Sequence, residues 1–182
     1  MLLITVEGTE IFDEKTNEFV SVRPTRLQLE HSLVSVAKWE GKHHKSFMKN
    51  LKTLTPEELI SYIECMNMTQ NVSPEVFRCL SVQNLQEIQE YINDPMTATV
   101  LTTHGTEQQN NAKQDVVTAE LIYYWMIAQN IPMECQKWHL NRLMALIRVC
   151  ASKNAPPKKM SKAQAMAYHK GLNAQRRGKK HH

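Results

Sequence analysis

The hydrophobic period of this chain changes at His31, and the change decides which folds are open to it. Before that point Leu2, Ile4 and Val6 alternate with Leu3, Thr5 and Glu7, as in a half-buried strand. Ile11-Phe12 and Phe19-Val20-Ser21-Val22 flank the polar run from Asp13 to Glu18, which predicts a hairpin. After Pro24, residues 26–30 alternate once more. Strands this short and this few are not stable alone, so they are expected to pack on the helices downstream.

From His31 the period is helical. Leu33, Val34, Ala37 and Trp39 form a short stripe ending near Gly41, and Phe47 and Met48 are placed to dock back on the body. Thr55-Pro56-Glu57-Glu58 reads as a capping box with proline at the first helical position, ahead of Leu59, Ile60, Ile63 and Met66. Ser73-Pro74-Glu75 opens a second short helix, and Ser81 caps a third that carries Leu85, Ile88, Tyr91 and Ile92 and stops at Pro95. Residues 103–114 have no apolar period and read as a mobile surface loop. Asp115 or Thr118 then caps Leu121-Ile122-Tyr123-Tyr124-Trp125-Met126-Ile127-Ala128, apolar nearly all round and so expected as a central buried helix. Asn130-Ile131-Pro132 breaks it, and a second long helix is expected from Met133 to about Cys150, antiparallel to the first. The predicted class is mainly α (α+β): a helical bundle body at 31–154, a small N-terminal antiparallel β element at 1–30 packed on it, and a basic C-terminal tail at 155–182, partly helical or disordered.

Charge is divided as sharply as period. Residues 1–150 carry 13 Lys/Arg against 18 Asp/Glu, giving −5, while residues 151–182 carry nine Lys/Arg and no acid, giving +9. A tail of that kind meets something acidic: nucleic acid, a partner surface or a membrane surface. Ser161 and the alanines after it favour a helical element bearing Met160, Met166 and Leu172, which makes docking feasible. No stretch approaches the roughly 20 apolar residues of a membrane span, and the N-terminus lacks the basic region of a signal peptide. The expectation is a soluble, cytoplasmic protein.

Catalysis finds little support. The only aspartates, at 13, 94 and 115, lie at turns or caps, and no dinucleotide, phosphate-loop, nucleophile-elbow or zinc-protease motif occurs. The cysteines at 65, 79, 135 and 150 have no C-x-x-C spacing and read as buried free thiols. Cys135 and His139, four apart, would share a helical face, but a zinc site needs a second tight pair. The expectation is therefore no enzyme, no cofactor and no metal. Residues 133–142 as a DNA-reading helix, with Lys137, Asn141 and Arg142 outward, is the weaker alternative to an ordinary helical hairpin. An exposed edge bearing Met126, Met133 or Met144 would instead suit a partner helix.

Several phrases form a set: Leu27-Gln28-Leu29-Glu30-His31-Ser32-Leu33-Val34-Ser35 with Lys38-Trp39-Glu40, Met96-Thr97-Ala98-Thr99, Ile122-Tyr123-Tyr124-Trp125-Met126-Ile127-Ala128, Cys135-Gln136-Lys137-Trp138-His139-Leu140-Asn141-Arg142-Leu143, Lys153-Asn154-Ala155-Pro156-Pro157-Lys158-Lys159-Met160-Ser161 and Leu172-Asn173-Ala174-Gln175-Arg176. Together they resemble the tail assembly chaperones of long-tailed bacteriophages infecting Gram-positive and actinobacterial hosts. The chain departs from that pattern after Trp39, with His43 and Ser46 where a second tryptophan and a proline are expected. The resemblance implies a non-enzymatic protein of the host cytoplasm during phage assembly. Its implied partners are the phage tape measure protein and the tail tube protein, with self-association open, nucleic acid disfavoured and no membrane. Partner contacts are expected at Lys158, Lys159, Lys162, Lys170, Arg176 and Arg177 of the tail and at Met126 and Met133 of the body. The rival readings are a structural subunit retained in the virion and a nucleic-acid-binding module using the tail.

Overall fold

The computed structural model describes residues 1–13, 17–99, 116–154, 166–170 and 172. It is mainly α with a small β element, in two compact units, Met1–Ala151 and Ser152–His182. The strands are β1 (Leu2–Val6), β2 (Thr9–Asp13), β3 (Glu18–Val22) and β4 (Thr25–Leu29). β1 pairs antiparallel with β4 and β2 with β3, and one register runs through both ladders, from Leu2 opposite Leu29 to Asp13 opposite Glu18. The ladders are thus two halves of one long hairpin, interrupted where Gly8 meets Pro24. Proline has no N–H to give the ladder, and a Cβ on Gly8 would lie 2.8 Å from Pro24 Cδ. Ile4, Val6, Val22, Leu27 and Leu29 point into the same core as the helices, as the two-residue alternation predicts.

The helices are α1 (Leu33–His43), α2 (Phe47–Asn50), α3 (Pro56–Met66), α4 (Pro74–Arg78), α5 (Val82–Asn93), α6 (Ala119–Ala128) and α7 (Leu140–Asn154), with a 3-10 turn at Met133–Lys137. Their starts follow local chemistry. Thr55 with Glu58 and Ser81 with Asn84 form reciprocal capping boxes, and Thr118 caps α6. α1 runs past Gly41 and ends at His44 in the left-handed conformation, its N–H returning to the Glu40 carbonyl. The free edge of β4 is covered by the chain leaving α3: Glu30 N–H donates to Met66 O at 3.0 Å and Met68 N–H to Gln28 O at 2.8 Å.

Two expectations are corrected. The long helix expected from Met133 begins only at Leu140, where α7 buries the expected Leu140, Leu143 and Ile147; a 3-10 turn, an extended Trp138 and a bridge at His139 precede it. His139 pairs with Ser32, and Leu140 N–H donates to His31 O at 2.7 Å, so tertiary bonding draws this stretch extended. α6 packs against α1. Nor is α6 buried all round: Ala119, Ile122 and Met126 face the core while Tyr124 and Ile127 are 63% and 66% exposed. The loop expected at 103–114 lies outside the described residues. No helix among the described residues is long and apolar enough to cross a membrane.

Candidate docking surface

The tryptophan-centred phrases meet inside the body, where they form its internal ties. Trp39 is fully buried, donates its indole N–H to Glu58 O at 3.1 Å and packs edge-on against Phe47. Glu40 is also buried; one carboxylate oxygen accepts Phe47 N–H at 2.8 Å and the other accepts Ala119 N–H at 2.7 Å. One side chain of α1 thus closes the opening turns of α2 and α6, where a negative charge is favoured. His43 and Ser46 take part as well. His43 stacks on Trp39 with ring centroids 4.5 Å apart, and Ser46 caps α2 while donating to Val117 O at 2.6 Å.

A second tie joins the phrase at 27–35 to the phrase at 135–143. His31 and His139 are buried with ring centroids 5.0 Å apart. Burial, reinforced by the neighbouring His139, lowers the His31 pKa to about 3, and burial raises Tyr62 well above the usual phenol range. Both groups are therefore neutral near pH 7, and the Tyr62 hydroxyl and His31 Nδ1 share a hydrogen bond of 2.5 Å. Burial also lowers His139, against the opposing pull of the Tyr91 carbonyl, which accepts from His139 Nε2 at 2.9 Å. Tyr91 in turn donates its hydroxyl to Glu30 at 2.6 Å, and the other Glu30 oxygen pairs with the Met1 amine at 2.9 Å.

Among the described residues every buried side-chain nitrogen or oxygen has a partner, so the polar atoms of this network are occupied with one another. Cys135 and His139 do not share a helical face, because the chain between them is a 3-10 turn followed by extended backbone. For the same reason residues 133–142 do not form one reading helix. Among the described residues, no group of three or more His, Cys, Asp or Glu side chains is placed to hold a metal.

The outward surface of the body here mixes exposed apolar side chains with charge from Glu120, Glu134 and Lys137. Tyr124 and Ile127, three apart on α6, share the face opposite Ala119, Ile122 and Met126. The Tyr123 hydroxyl donates to Gln136 Oε1 at 2.9 Å, tying the 3-10 turn to α6. At the two ends of that turn stand exposed Met133 and Trp138, the latter with Arg142 over its ring at 4.4 Å. A separate groove of about 500 Å³ lies between α3 and α5, lined by Leu54, Leu59, Ile63, Leu85, Ile88 and Ile92.

The expected contact residues divide accordingly. Met133 is exposed, but Met126 is fully buried and is corrected from a contact residue to a core residue. From Leu121 to Ala128 its helix is apolar nearly all round, so the pattern did not mark Met126 as an inward residue. Lys170 is exposed on the helical segment 166–170, whereas Lys158, Lys159, Lys162, Arg176 and Arg177 lie outside the described residues. Sequence reasoning missed Tyr124, Ile127 and Trp138; the available signal was a helix too apolar for the one stripe that it buries. Comparison of the chain with protein-family models, curated proteins and solved structures gives no match.

Proposed function

We propose that this chain is a non-enzymatic phage tail assembly chaperone that holds a helical segment of the tape measure protein while tail tube subunits assemble around it. The observation that carries the reading is the outward face of α6, where Tyr124 and Ile127 stand exposed beside the turn bearing Met133 and Trp138. Exposed aromatic and methionine side chains on a fixed scaffold suit the apolar stripe of a partner helix, because methionine adapts its shape and aromatics bury much area with few rotamers. The resemblance of the phrases at 27–40, 122–128 and 135–143 points the same way, and the chain's own network supports a scaffold in preference to a reaction centre. The basic tail, with Lys170 exposed, supplies charge that steers encounter with an acidic tube or tape measure surface.

The test is affinity capture from phage-infected cells with the full-length chain and with a version stopped after Asn154, nuclease-treated in parallel. The proposal predicts that both forms recover a long helical tape-measure-like protein, and that the chain is missing from purified virions. Recovery of nuclease-sensitive material alone, and only by the full-length chain, would overturn it in favour of a nucleic-acid arm. Stoichiometric presence in virions would overturn it in favour of a structural subunit.

A further inference from the structure

We infer that the β2–β3 arm is the acceptor for the basic C-terminal segment of a second copy of this chain. Directly paired strand residues share a face, so Ile11 and Val20 lie on one side of the arm and Phe12 and Phe19 on the other. Ile11 packs against the core. The phenylalanines pair across the strands with ring centroids 5.3 Å apart, and they remain 46% and 73% exposed. With its other face packed on the core, the arm leaves this aromatic pair as an exposed apolar patch.

Charge selects the occupant. Residues 9–22 hold Glu10, Asp13, Glu14 and Glu18 against Lys15 alone, a net −3 beside the −5 of residues 1–150 as a whole. The arm is therefore an acidic surface. Like charge opposes pairing of two arms. The complementary partner is residues 151–182, with nine cations and no acid, whose described helical segment 166–170 exposes Met166, Tyr168 and Lys170. Apolar side chains of that segment would cover the phenylalanine pair while its cations meet the arm's carboxylates. Each copy carries one acceptor and one donor segment, so the contact is heterologous. This self-association goes beyond the chaperone reading and fails or survives independently of it.

The test is sedimentation velocity of the full chain and of three full-length variants. Wild type is expected to self-associate at low salt and about tenfold or more weakly at high salt, since exposed pairs are screened beyond about a Debye length. Phe12→Ser/Phe19→Ser should weaken association without moving the thermal midpoint of the body. An arm variant, Glu10→Lys/Glu18→Lys, and a tail variant, Lys158→Glu/Lys162→Glu/Lys170→Glu, should each associate poorly alone and well when mixed. A wild-type chain that is monomeric at all salts would overturn the proposal. So would association that the phenylalanine and charge variants leave unchanged, or a mixture that fails to recover it.

Discussion

Replacing Glu40 with alanine would remove the acceptor for two helix-opening N–H groups at once, those of Phe47 and Ala119. Leaving buried donors unpaired costs about 1–3 kcal/mol each, so Glu40→Ala is expected to destabilise by roughly 3 kcal/mol in urea unfolding. Exposed Glu120 on α6 is the control and should change stability by less than about 0.5 kcal/mol. His31 gives the second residue-scale expectation. Its folded pKa of about 3 lies below its ordinary 6.5, so the unfolded chain takes up the proton first. The neutral, buried form therefore contributes stability that is complete above pH 6.5 and declines as pH falls toward 3. At about 1.4 kcal/mol per pH unit the loss reaches roughly 3 kcal/mol by about pH 4, with His139 adding in the same direction. Unfolding free energies measured across this window should fall with acid, and His31→Gln should flatten the slope. The pairing of Tyr62 with His31 was not legible in the sequence. Tyr62 falls between the Leu59-Ile60 and Ile63 of an ordinary helical stripe, and its partner lies 31 positions away.

At the scale of elements, the chain's two described glycines make opposite predictions. Gly41 lies exposed within α1 with nothing within 4 Å of an added Cβ, so Gly41→Ala should stabilise by about 0.5–1 kcal/mol. Gly8 stands where the long hairpin is interrupted, and an added Cβ would meet Pro24 Cδ at 2.8 Å and Val22 O at 2.9 Å. Gly8→Ala should therefore destabilise by about 1–3 kcal/mol, as overpacking does, and thermal melts of the pair would show both signs. Helix starts were legible because caps are local: Thr55-Pro56-Glu57-Glu58 and Ser81 through Asn84 hold their own hydrogen bonds within one turn. The stretch 133–139 was not legible. Its composition does not bar a helix, and distant partners hold it as a 3-10 turn and an extended bridge: His31 and Ser32, with Tyr123 on Gln136 and Tyr91 on His139.

For the whole molecule, period and charge along the sequence foretold a β element, a helical body and a basic segment, and the mainly α fold follows that reading. Which surface is left for a partner was less legible, because α6 is apolar nearly all round from Leu121 to Ala128, and it packs against α1 with Met126 in and Tyr124 and Ile127 out. The chaperone proposal stands on this outward face holding a helical partner. It is tested by co-expression of a tape measure segment with the wild-type chain and with Tyr124→Ser/Ile127→Ser, scored by how much of the segment is recovered soluble and co-purifying. Stable complex is expected with wild type and a loss of about tenfold or more with the double variant, as when exposed anchor residues are truncated, with the variant's melting temperature unchanged. Equal recovery with both proteins, or none with wild type, would contradict it.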